Sequence, residues 1–136
     1  MKTLKVIVSK AGKGVSAHLP EVEGFVIARN SFDKLRRDLL NGLLFHIEGL
    51  YEEERAKWMS ESFDFEYVFQ DIQTLIEGYR GLINQSSLAR VSGINESLMR
   101  QYVAGIKRPS HKVTVRIETG LKKYAEELRN ISFVNI

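Results

Sequence analysis

Arg100 and Gln101 stand side by side, and four residues upstream lie Glu96 and Ser97, preceded by Asn95. At helical spacing these side chains share one flank, so their polar groups can act together on one target. A guanidinium is a two-pronged donor, a carboxamide pairs donor with acceptor, a carboxylate accepts, and a hydroxyl does both. That inventory suits the edges of stacked bases. Arg100 has the reach and the fork for guanine O6 and N7, and Gln101 suits adenine. Glu96 can accept from cytosine N4 or orient Arg100. Ser97 fits a phosphate or a thymine methyl. Upstream, Gln85 and Ser86 begin another helix, where side chain and backbone amides can hold a phosphate. Lys107 and Arg108 follow in a loop, placed to meet a sugar-phosphate backbone or to form a solubilising basic turn.

The elements that would position these groups are legible between Asn84 and Gly105. The pattern predicts two short helices around a tight turn. Ala89 is small enough for close helix approach. Four residues later Gly93 can take the positive φ that ends a helix. Ile94 fills the gap beneath the turn, and Asn95 caps the next helix. Met99 and Tyr102 point inward, leaving Glu96, Ser97, Arg100 and Gln101 outward, and Gly105 ends the helix. Ala-x3-Gly-Ile with an apolar residue six positions after the glycine is the helix-turn-helix pattern. On either side, Ile72, Leu75, Ile76 and Tyr79 predict a short helix ending near Gly81, and Ser110, after Pro109, caps a final helix. Val113, Ile117, Leu121, Tyr124 and Leu128 form that helix's expected core stripe. Lys112, Arg116, Lys122 and Lys123 make its outside basic. Gly120 is expected to weaken it by about 1 kcal/mol relative to alanine. The tail, Ile131 to Ile136, alternates weakly, which fits fraying or pairing with another subunit.

Residues 1–70 have a different period. Leu4, Val6 and Val8 alternate with Lys5, Ile7 and Ser9; Val15, Ala17 and Leu19 alternate with Ser16 and His18. With Gly12-Lys13-Gly14 between them these are two strands of a hairpin, and Pro20 ends the second. Gly24 opens a third strand, Phe25 to Ala28, completing an antiparallel meander. Asn30-Ser31 starts an amphipathic helix whose apolar set is Phe32, Leu35, Leu39, Leu43, Ile47 and Leu50. Glu52 to Lys57 reads as charged and exposed. Phe63, Phe65, Tyr67 and Phe69 then make a fourth strand with one aromatic face. The class is α+β: a β-β-β-α-β domain over 1–70 followed by an all-α domain over 71–136. A sheet this small leaves edges that a second chain could pair with.

Composition narrows the function. Of 136 residues, 43% are apolar and 27% charged, an ordinary globular balance. With no cysteine, disulfide scaffolds and thiolate metal sites are excluded. His18, His46 and His111 lack metal-ligand spacing, so no metal or other cofactor is expected. Two-metal nuclease chemistry needs converging carboxylates, but only Glu21 and Glu23 lie near the first three strands, so no catalytic residue is assigned and an enzyme is not expected. Apolar runs are too short to span a membrane, and the N-terminus lacks the pattern of a signal peptide, so the expected compartment is the cytoplasm. Residues 80–136 hold ten Lys/Arg against four Asp/Glu, net +6, whereas 1–79 are net −3. A basic module beside an acidic one points to a polyanion for the former.

With both halves in view, the chain resembles the HicB family of antitoxins. The resemblance rests on Val6 to Lys10, on His18-Leu19-Pro20-Glu21-Val22-Glu23-Gly24-Phe25, on the helix from Ser31, and on the helix-turn-helix segment. It implies a partial ribonuclease-H-like N-terminal domain without a working nuclease site, and a Cro-type helix-turn-helix domain. It further implies a partner, a small basic HicA-type toxin that cleaves messenger RNA. The N-terminal domain would cover the toxin, and the C-terminal domain, as a homodimer or homotetramer, would bind operator DNA and repress its own operon. A stand-alone or phage-like repressor whose N-terminal domain only oligomerises would share the same motifs.

Overall fold

The computed structural model describes residues 1–59 and 61–135, and these contain a four-stranded sheet and six helices. The fold is mixed α/β, and the chain divides into two compact units, Met1–Gly78 and Tyr79–Ile136.

In the first unit, strands β1 (Lys2–Ala11), β2 (Gly14–His18) and β3 (Val26–Arg29) form the expected antiparallel meander. Strand β4 (Phe63–Phe69) then pairs with β1 in parallel, giving the order β3-β2-β1-β4. Alternation selects one face for the core: Leu4, Val6 and Val8 are fully buried, while Lys5 between them is exposed. Phe65, Tyr67 and Phe69 are in register with those three residues and so share their face.

Helix α1 (Phe32–Glu48) covers that face with Phe32, Leu35, Leu39, Leu43 and Ile47, all buried. Ser31 caps it by accepting from the Lys34 amide. Phe32 meets Tyr67 and Phe69 edge-on at 5.2 and 5.1 Å, which ties the start of the helix to the aromatic strand. At the open edge, Arg29 Nε donates to Asp38 Oδ2 at 2.9 Å. That hydrogen bond, helped by the positive charges of Arg29, Arg37 and Lys34, holds the Asp38 carboxyl below its ordinary pKa against a smaller desolvation cost.

Two features of the first unit differ from the sequence expectation. Glu52 to Ala56, read as merely charged, form a short helix α2 (Glu52–Ala56); three glutamates in its first turn suit a helix N-terminus. The segment after β4 also folds with the first unit. Helix α3 (Ile72–Gly78) packs against β1 and β4, and Gly78 lies against the Phe32 ring. Its buried Thr74 is satisfied by Asp71, whose Oδ1 accepts from both the Thr74 amide and hydroxyl at 2.7 Å. The division therefore falls at 78/79 rather than at 70/71, because burial of Ile72 and Thr74 ties α3 to the sheet.

The second unit holds α4 (Gln85–Ser92), α5 (Glu96–Val103) and α6 (His111–Arg129). Leu88, Ala89, Ile94, Met99, Tyr102 and Ile117 are its buried apolar residues. Ser110 caps α6 through the Val113 amide. The expected α6 stripe is only partly core. Ile117 is buried and Val113 and Leu121 are half-buried, but Tyr124 is 43% and Leu128 52% exposed. The eight residues of α4 make a helix roughly 12 Å long, which covers only part of a nineteen-residue helix roughly 28 Å long. Residues 131–135 have no regular structure, and the rest of the tail expectation, Ile136, lies outside the described residues.

Candidate nucleic-acid interface

The turn between α4 and α5 is built as its residue types require. Gly93 has φ 65°, in the left-handed region that a side chain would disfavour. This lets the Ile94 amide return to the Ala89 carbonyl at 3.0 Å and drives the Ile94 side chain into the core, 7% exposed. Asn95 then caps α5: its side-chain oxygen accepts from the amides of Ser97 (2.8 Å) and Leu98 (3.3 Å). With Met99 and Tyr102 buried beneath, rotation of α5 is fixed, and Glu96, Ser97 and Arg100 are exposed on its far flank.

The other sequence-predicted residues fall around this flank with two qualifications. Gln101, expected to face solvent, is half-buried, as is Gln85 at the start of α4. Ser86 is exposed and donates from its hydroxyl to Glu96 Oε1 at 2.6 Å, so the Glu96 carboxylate is held by α4. This bond joins the first turns of the two helices. Lys107 and Arg108 are exposed in the loop after α5. The amides of Ile106 and Lys107 both return to the Gln101 carbonyl, which folds that loop back on the helix end. Asn84 and Ser87 form a reciprocal capping box at the start of α4.

Helix α6 contributes two contacts that spacing did not reveal. Arg116, expected to be part of a basic outer surface, donates to the Gly93 carbonyl and pins the turn. Gly120 lies directly on the last turn of α4: a Cβ there would overlap the Val91 carbonyl and crowd Ser92 Cα. Such contacts join residues more than twenty positions apart, so no local pattern announces them. The same close approach buries the Ser92 hydroxyl, which has no hydrogen-bond partner among the described residues. Ser92→Ala should leave stability unchanged or raise it by about 1 kcal/mol, since it removes an unsatisfied group. Chemical denaturation of the full chain checks this, and a clear loss of stability would contradict it.

In the first unit an open groove between β3 and α1 is lined by Phe25, Val26, Gly42, Phe45 and His46, among others. The His46 ring lies against Phe25, and its Nε2 is 3.2 Å from the Glu23 carbonyl oxygen. Among the described residues, no three His, Cys, Asp or Glu side chains stand together in a manner suited to a metal ion, and no helix is long and apolar enough to cross a membrane.

No family model, curated protein or solved structure matches the chain. The second unit carries ten Lys/Arg against four Asp/Glu, and its exposed α5 flank joins one fork-shaped cation, Arg100, to the Glu96 carboxylate and the Ser97 hydroxyl.

Proposed function

We propose that this protein is a cytoplasmic, oligomeric DNA-binding antitoxin of the HicB type. In this reading α4 and α5 are a helix-turn-helix pair and α5 enters the major groove of operator DNA. The observation that carries it is the α4–α5 turn: Ala89, left-handed Gly93, buried Ile94 and buried Met99 together turn Glu96, Ser97 and Arg100 outward on a unit of net charge +6. Arg100 would grip a guanine edge, with Gln101 beside it for adenine. Ser86 would orient Glu96, while Gln85, Lys107 and Arg108 would hold phosphates and set the register. Asn95 would contribute through its cap, which fixes the start of the reading helix.

The first unit supports the other half of the proposal. Its meander, helix and returning fourth strand are the arrangement we assign to a partial ribonuclease-H-like domain. Its balance of ten Lys/Arg against thirteen Asp/Glu suits a basic partner, here a HicA-type toxin. A protein of this design has no need of catalytic residues or a cofactor. Regulation would follow from one chain that binds both the toxin and the promoter that encodes it.

Selection of bound duplexes from a random pool tests the DNA half. The enriched sequence should be a palindrome with half-sites about 34 Å, or a multiple of that, apart. Failure to enrich any sequence would defeat it. Co-purification from the native host tests the toxin half: a small basic ribonuclease should be retained. DNA binding with no such partner would favour the stand-alone repressor.

The loop cations give a separate expectation. Lys107→Ala and Arg108→Ala should each lower the slope of log affinity against log salt by about 1, with little change in sequence preference. Fluorescence anisotropy titrations at several salt concentrations read that slope. An unchanged slope would remove these two residues from the interface.

A further inference from the structure

The C-terminal half of α6 has an apolar stripe that its own unit leaves uncovered. Tyr124 is 43% and Leu128 52% exposed, Leu121 is half-buried, Ala125 is exposed beside them, and Ile131, just past the helix end, is 62% exposed. Such a stripe costs free energy in water and is covered when a partner is present. The charges that border it indicate which partner. At helical spacing Lys123 and Glu127 flank one side, and Glu118 and Arg129 flank the other; all four are exposed.

We infer that this stripe pairs with the same stripe of a second copy, antiparallel, about a two-fold axis near Tyr124. A two-fold operation of this kind sets each flank against its own equivalent, running in the opposite direction. Lys123 of one copy then lies beside Glu127 of the other, and Glu118 beside Arg129, so each of the four contacts joins opposite charges. Parallel pairing would instead set each flank against the opposite flank of the other copy, so the Lys123–Glu127 and Glu118–Arg129 contacts would not form. In the antiparallel register Leu121 falls level with Leu128 of the other copy, the two Tyr124 rings meet near the axis, and Ala125 permits close approach. Arg129 also bonds Glu126 on its own helix at 3.2 Å, an exposed pair worth little that leaves it available to a partner.

This surface deepens the repressor reading by naming what would join its copies, yet its test uses no DNA, so either can fail while the other stands. About three turns of helix bury less than the roughly 800 Å² per partner of a standard interface, so the pairing belongs to the weak, concentration-dependent class.

Sedimentation equilibrium of the full chain, up to about 0.1 mM, tests it with two charge-reversed variants. Lys123→Glu with Arg129→Glu makes every cross-contact acidic, and Glu118→Lys with Glu127→Lys makes every one basic. Each variant alone should lose one two-fold association step, weakened at least about tenfold, with helix content unchanged by circular dichroism. Mixed together, the two should associate with each other to within about threefold of the wild-type strength, because all four contacts are then opposite in sign. Rescue by mixing separates an intermolecular contact from any effect within one helix. A wild-type chain that shows no association, variants that associate as the wild type does, or a mixture that fails to recover would each overturn the inference.

Discussion

Gly120→Ala should destabilise the second unit by about 2–3 kcal/mol, although alanine is the better helix former. In an exposed helix the same change would add about 1 kcal/mol of stability. Here the new Cβ would overlap the Val91 carbonyl and press on Ser92 Cα. Both obstacles are backbone, which cannot swing aside as a side chain can. The two helices must separate, and Leu88 and Ile117, at 0% and 5% exposure, would lose packing as they do. The displacement would also draw Arg116 away from the Gly93 carbonyl and loosen the turn that aims α5. Hydrogen exchange at the amides of α4, α5 and α6 measures the effect, with Thr119→Ala as an exposed neighbouring control expected to be near neutral. Slower exchange in Gly120→Ala would mean that the two helices do not meet at this position.

Arg100→Ala should weaken binding to the preferred duplex by about 1–3 kcal/mol, roughly a factor of ten to a hundred, and flatten preference at one base pair of each half-site. Binding to unrelated duplex should change far less, by one phosphate-scale charge at most. The fork of the side chain matters as well as its charge. Arg100→Lys keeps the cation but loses the paired donors, so it should retain non-specific affinity and lose most of the discrimination. Because Arg100 is exposed, neither change should alter stability, which denaturation can verify. If the toxin contacts lie on the first unit, neutralisation of a co-expressed toxin should survive both. Loss of neutralisation together with DNA binding, in a folded variant, would contradict the division of labour between units.

Local signals were legible and non-local ones were not. Strand alternation at Leu4, Val6 and Val8 and helical spacing from Phe32 to Ile47 each reported a buried face, because a half-covered element must carry its apolar residues at its own period. The caps at Ser31, Asn95 and Ser110 could be read for a related reason: the bonding partner lies only two or three residues along the chain. Parallel pairing of β4 with β1 joins residues about sixty positions apart, and a one-dimensional pattern does not encode it. The change of period at Asp71 marked a new element but not a new unit, since period says nothing about which core an element joins. Similarly, the stripe on α6 reported which side of the helix is apolar, not how far its neighbour α4 reaches; Tyr124 and Leu128 were expected in the core and lie largely outside it. At the candidate interface, the exposure of Glu96, Ser97 and Arg100 followed from burial of Met99 and Tyr102, whereas the Ser86–Glu96 bond needed the three-dimensional turn.

The central claim, that the outer flank of α5 reads base edges in a duplex, meets its most direct test in a competition titration. The full chain is bound to a pool-selected duplex and challenged with a scrambled duplex of equal length and composition at one fixed salt concentration. The selected duplex should be preferred by about a thousandfold or more, and Arg100→Ala should remove at least about tenfold of that preference. Equal affinity for the two duplexes, or a preference untouched by loss of Arg100, would contradict the claim.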